Sequence, residues 1–141
     1  MRLFFDTSCL MKRYVYESGS EIVDELFEKA SEIIVSPITK IEALSVCKRI
    51  QYEKIITDED YLSLKVKIID DLNNMSIIPW NIEIEDTVIK LYDKYQLKSL
   101  DAIQLGTALT QKTIIDYFVL SDKKLKNIFK LENLQIIDPN E

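Results

Sequence analysis

Four carboxylates in this chain, Asp6, Glu42, Asp101 and Asp122, have positions suited to chemistry. Asp6 ends the apolar run Leu3-Phe4-Phe5 and is followed by Thr7 and Ser8. Three apolar residues in succession fit a strand buried on both faces, as in a parallel sheet covered by helices. An Asp at the carboxyl end of such a strand either caps the next helix or belongs to a site, because open α/β sheets bind ligands along that edge. Asp122 repeats the pattern after the run YFVLS, which ends at Ser121. Glu42 has Ile38, Ile41, Ser45 and Val46 as helical neighbours, so it falls on a stripe expected to face inward. An unpartnered ionised carboxylate there costs several kcal/mol. Glu42 therefore needs a metal or a basic partner, or it lies at the rim of the core. Asp101 opens the stretch SLDAIQLGTAL, a helix with almost no polar face that should be buried, with Gly106 permitting close approach of a neighbour. Its carboxylate either complements the helix dipole or faces a cleft.

Gathered in one cleft, four carboxylates repel each other and take up protons unless a cation balances them. Ligation by oxygen alone selects a hard ion, Mg²⁺ or Mn²⁺. Such an ion lowers the pKa of a water for attack on phosphorus and stabilises the leaving oxyanion, so metal-dependent phosphodiester hydrolysis is the chemistry that follows. The sequence has no histidine. Ser-His-Asp and Cys-His catalysis and histidine zinc sites are thereby excluded. Cys9 and Cys47, far apart and in apolar surroundings, read as buried free thiols.

Positioning these groups requires strands that alternate with helices. Short strands are expected at Met1–Phe5, Glu32–Ser36, Met75–Pro79, Tyr117–Ser121 and Leu134–Ile137. Helices are expected over a short piece from Cys9 to Glu17, then over Ile22–Ala30, Pro37–Ile50 with Ser36 as cap, and Asp58–Asn74 with Thr57 as cap. Tyr61, Leu62, Val66, Ile69 and Leu72 mark the apolar side of the last of these. Further helices carry Ile84 to Tyr95, open at Ser99, and follow Asp122. This alternation implies an α/β fold, a short central parallel sheet flanked by helices on both faces. If the first and fourth strands are neighbours at the switch point, Asp6 and Asp122 meet, and Glu42 and Asp101 close the same pocket.

A length of 141 residues, 47% of them hydrophobic, fits one domain over 1–141 with a proper core. No apolar run approaches the roughly 20 residues of a membrane span, and the opening strand has no cleavage-site pattern, so a cytoplasmic location without membrane contact is expected. The net charge of −6 weighs mildly against a nucleic-acid partner without excluding one, since basic patches can be local.

In order and spacing these segments resemble the PIN-domain ribonucleases, most closely the VapC-type toxins of toxin–antitoxin pairs. DTSCLMKRYVYESGS looks like the family's opening segment, Glu42 stands at its second acidic position, LDAIQLGTAL looks like its most recognisable helix, and FVLSDKKL resembles its fourth strand. The resemblance implies a PIN-like three-layer α/β/α domain and an endoribonuclease dependent on Mg²⁺ or Mn²⁺. Asp6, Glu42, Asp101 and Asp122 would be its acidic residues, with Asp6, Asp101 and Asp122 on the metal and Thr7 and Ser8 as supporting hydroxyls. It also implies an RNA substrate, a homodimer, and a cognate antitoxin whose extended segment covers the cleft. Lys12 with Arg13, Lys48 with Arg49, Lys98, and the group Lys123, Lys124 and Lys126 follow or flank the acidic residues and are the expected RNA contacts. Two positions depart from the pattern. Leu120 stands where the family usually has a hydroxyl, leaving Ser121 as the nearest, and Lys98 stands where an Arg is frequent.

The rival reading is a catalytically silent PIN-like binding module whose carboxylates hold a partner's basic segment or a structural cation. A phosphoacceptor receiver domain would need adjacent acidic residues after its first strand, and a dehalogenase-like phosphatase a second Asp two residues on. Here Thr7 and Ser8 occupy those places.

Overall fold

A computed structural model describes residues 1–141. Its elements run β1 (Arg2–Phe5), α1 (Thr7–Met11), α2 (Ser20–Lys29), β2 (Glu32–Val35), α3 (Thr39–Tyr52), α4 (Asp58–Asn73), β3 (Ser76–Ile77), α5 (Ile82–Tyr92), α6 (Ser99–Thr110), β4 (Tyr117–Val119), α7 (Lys123–Leu131) and β5 (Ile136–Ile137). All strand pairs are parallel, in the order β3-β2-β1-β4-β5. β1 is therefore the central strand, flanked by β2 on one side and β4 on the other, with Leu3 opposite both Ile33 and Tyr117.

Alternate residues of a strand face opposite sides. Leu3 and Phe5 enter one core with Val23, Cys47, Ile68 and Leu72 from α2 to α4. Phe4 enters a second core with Leu105, Phe118 and Phe129 from α6, β4 and α7. The apolar run of β1 thus supplies both layers, giving the expected PIN-like α/β/α sandwich.

Several boundaries and faces differ from expectation. The helix after β2 begins at Thr39, because Ser36 Oγ takes the Ile38 amide at 3.3 Å and lies 3.1 Å from the Thr39 hydroxyl, holding Pro37 and Ile38 in a turn. Thr57 does cap α4, accepting the Asp60 amide at 3.0 Å. On α4, however, Leu62 and Val66 are exposed, while Ile68 and Leu72 form the buried side. The helix carries two adjacent apolar stripes, and packing selects the one bearing Ile68. On α6, Gly106 lets α5 approach: a Cβ there would stand 2.6 Å from Val88 Cγ2. That close approach fixes the helix on which Asp101 sits.

Candidate active site at the carboxyl edge of the sheet

Asp6 stands where β1 ends, its amide donating to Val119 O at 3.0 Å and so extending the β1–β4 ladder. Its carboxylate closes no helix-capping hydrogen bond and instead accepts the Ser8 hydroxyl at 2.6 Å. Burial pushes its carboxyl up to about 6; Ser8 opposes that rise, while the charges of Glu42 and Asp101 add to it. Asp101, in the first turn of α6, is also raised, first by burial and then by Asp122, against the opposing pull of Lys98 and Lys124. Asp122 caps α7 through Oδ1, which accepts the Leu125 amide at 2.8 Å. The charges thus form a chain at the β1/β4 edge: Glu42 and Asp101 act on Asp6, and Asp122 acts on Asp101.

Glu42 lies at the rim. The core side of α3 is Thr39, Ala43, Cys47 and Ile50, while Ile41 is 72% exposed. The stripe of Ile38, Ile41 and Val46 expected to face inward instead walls a cleft of about 460 Å³, shared with Glu42, Thr7 and Leu100. The physical reason is that an apolar stripe marks a face protected from water, and a cleft wall satisfies that pattern as well as a core does. Glu42 accepts from two neutral donors, the Thr7 hydroxyl at 2.7 Å and the Gln104 side-chain amide at 3.0 Å. Neither a metal nor a basic side chain is needed to explain its place.

The supporting hydroxyls divide. Thr7 serves Glu42 and Ser8 serves Asp6. Ser121 donates at 2.8 Å to Asp138 and also lies 3.4 Å from Cys9 Sγ, so its hydroxyl belongs to the neighbouring strand end. The basic residues divide similarly. Lys98 and Lys124 act on Asp101, with Lys124 Nζ also donating to Gln96 O at 2.8 Å, and Lys123 is exposed at the start of α7. Lys12 is instead 8% exposed, held by Glu17 and by Ser18 O, both at 2.8 Å. Arg13 lies over Phe27, 4.3 Å from the ring centroid, and Lys48 over Tyr61 at 4.9 Å. Those three cations, expected as RNA contacts, are engaged by the protein itself, as is Lys126, which pairs with Asp138 and Glu141.

Gln104 is not singled out by the sequence, although it lies one helical turn beyond Asp101. It is the one amide in an apolar helix, a weak signal without its partners. No three of the carboxylates and thiols converge closely enough to ligate one ion as they stand. The donor set still suits a hard divalent cation: every group is oxygen, and Asp6 and Asp101 lie in the field of like charges that a cation relieves. Mg²⁺ in particular keeps several waters and needs few protein ligands.

A parallel sheet of this order, with helices on both faces and carboxylates over the β1/β4 edge, is of the PIN-like α/β/α class. The chain belongs to the PIN-domain family, whose model matches residues 3–130. No curated protein sequence matches it significantly. Among solved structures it is similar to a toxin–antitoxin complex from Klebsiella pneumoniae (20% identity, 99% of this chain and 98% of that one covered, TM-score 0.71). It is similar also to FitAcB from Neisseria gonorrhoeae (13% identity, 97% of each chain, TM-score 0.75). A third is VapC20 of Mycobacterium tuberculosis, a sarcin–ricin loop cleaving toxin (11% identity, 89% and 94% covered, TM-score 0.65). No helix is long and apolar enough to cross a membrane.

Proposed function

We propose that this protein is an endoribonuclease dependent on Mg²⁺ or Mn²⁺, one PIN-like domain over 1–141 acting as the toxin of a type II toxin–antitoxin pair. The observation that carries the reading is the set of four carboxylates at the β1/β4 edge, none of them in a salt bridge. Asp6, Asp101 and Asp122 would hold the ion, which when bound neutralises phosphate charge and acidifies the attacking water. Glu42 orients that water and takes its proton. Lys98 and Lys124, already in the field of Asp101, bind the phosphates on either side of the cut. The cleft beside Glu42 has an acidic end and walls of Ile38, Ile41, Val46 and Leu100, which suits an extended antitoxin segment with a cationic residue and apolar neighbours. A homodimer belongs to the same reading; Ile82 and Ile89, exposed one heptad apart on α5, offer it an apolar face.

The test is cleavage of a mixed RNA pool by purified protein in Mg²⁺, Mn²⁺ and EDTA, beside an Asp101→Asn control. Cleavage that needs the metal and is lost in the control is the expected result. Folded protein that binds Mn²⁺ yet leaves the pool intact would overturn it in favour of the binding module, a reading that the engagement of Ser121 by Asp138 favours.

A further inference from the structure

Gln104 is 1% exposed, and its side-chain nitrogen reaches two acceptors at once, Thr7 Oγ1 and Glu42 Oε1, each at 3.0 Å. Thr7 in turn donates to that same Glu42 oxygen at 2.7 Å. Both bonds therefore fall on Oε1, and Glu42 Oε2 accepts none from the protein. The orientation of the amide is fixed by this arrangement. Exchanging its nitrogen and oxygen would set a carbonyl oxygen 3.0 Å from a carboxylate oxygen, an unfavourable contact. In the orientation adopted, Gln104 Oε1 is buried without a hydrogen-bond partner. A native fold seldom keeps such an orphan, and one that persists calls for a functional account.

We propose that Gln104 is a positioning residue, which with Thr7 clamps Glu42 Oε1 so that Oε2 alone is presented to the attacking water. The role rests on the ribonuclease reading above and adds to it a residue that touches neither substrate nor ion. Gln104 follows Asp101 by three positions on α6, Thr7 follows Asp6 on α1, and Glu42 is on α3. The amide thus ties together the three elements that carry Asp6, Glu42 and Asp101, and it transfers the placement of α6 to the carboxylate opposite. As a neutral donor it does so without adding charge to the site. Misplacing a reacting group by about an ångström costs about a hundredfold in rate, so a clamp of this kind acts on turnover rather than on binding.

The experiment compares wild type with Gln104→Met, which keeps length and removes the amide, and with Thr7→Val, which removes the second donor. Four quantities are read: kcat, KM for RNA, Mn²⁺ affinity from the EPR signal of the free ion, and Tm in EDTA. A positioning role predicts that Gln104→Met lowers kcat about ten- to hundredfold while KM and Mn²⁺ affinity stay within about twofold. It predicts little change in Tm, since the orphaned oxygen leaves with the amide and offsets the two hydrogen bonds lost. Unchanged kcat would overturn the proposal, as would a loss of kcat matched by loss of Mn²⁺ affinity and Tm, the mark of a packing role. A separate measurement needs no activity: the Gln104 side-chain amide protons, followed by NMR, should exchange slowly in wild type and lose that protection in Glu42→Leu combined with Thr7→Val, which removes both acceptors. Fast exchange in wild type would refute the clamp. If wild type cleaves no RNA while those protons are protected, the ribonuclease reading fails and the clamp on Glu42 stands.

Discussion

Asp6 and Asp138 each follow directly on a strand of the same sheet, β1 and β5, and their surroundings are opposite in sign. Burial pushes the Asp138 carboxyl up, but Lys126, the Asn140 amide and the Ser121 hydroxyl outweigh it and hold the carboxyl below its usual value. Everything that carboxylate requires is supplied by the chain. At Asp6 burial also raises the carboxyl, yet only Ser8 opposes it, and Glu42 and Asp101 push the same way. The contrast separates a carboxylate that the fold completes from one it leaves incomplete. A half-buried carboxylate with no cationic partner is costly to ionise, and under the proposed function a cation from outside supplies what Asp6 lacks, whereas the β5 end is completed by the chain.

The largest effect expected from that contrast is on turnover. Asp6→Asn should lower RNA cleavage about 10²–10³-fold, whereas Asp138→Asn should leave cleavage per folded molecule within a few-fold; equal losses in the two variants would erase the distinction. Stability should order them the other way. Asp138→Ala strips Ser121 of its acceptor and leaves Lys126 only its ion pair with the exposed Glu141, and should lower stability in chemical denaturation, while Asp6→Asn in EDTA should be neutral or stabilising.

The pH dependence comes next. Because the folded protein raises Asp6 from 3.8 to about 6, its ionised form is disfavoured by folding, so this group's contribution makes the ion-free protein more stable as pH falls from 7 towards 4, by at most about 3 kcal/mol. Asp138, being lowered, contributes stability that is lost as pH falls through the carboxylate range. Comparing wild type with Asp6→Asn between pH 7 and 4 isolates the first trend; saturating Mg²⁺ should remove it, and a trend unaffected by either would break the comparison. The smallest effect concerns salt. Charge reversal at Lys123 and Lys124 should weaken RNA binding and flatten its salt dependence by about 0.7 in the log–log slope for each phosphate no longer neutralised; an unchanged slope would remove both lysines from the RNA path.

Much of this arrangement is legible in the sequence, because short apolar runs that stop at Asp are what a buried parallel strand and its carboxyl edge look like. Asp6 and Asp122 stand out in that way and Asp101 by opening an apolar helix, and the adjacency of β1 and β4 brings the two strand ends together. What the sequence does not disclose are choices made by tertiary packing. Glu42's apolar neighbours have the period of a buried stripe, which is the same whether core or cleft lies against it. Lys12 has the look of a surface cation until the turn at Glu17 and Ser18 encloses it. Ser121 is adjacent to Asp122 in sequence, yet its hydroxyl is taken by a residue 17 positions later. Gln104 gains its meaning only from Thr7 and Glu42, 97 and 62 positions away.

The central place of β1 also bears on how the protein is made. As the chain is made, β1 finds its β2 partner after about thirty residues, but its other edge stays bare until Tyr117–Val119 has been synthesised. Pairing at such sequence separation is slow and comes late in folding. A chain grown only as far as α3 therefore holds Asp6 and Glu42 without Asp122, and the β1/β4 edge is completed only once β4 has been made. An edge assembled from two strands so far apart in the chain stays open until the second of them arrives.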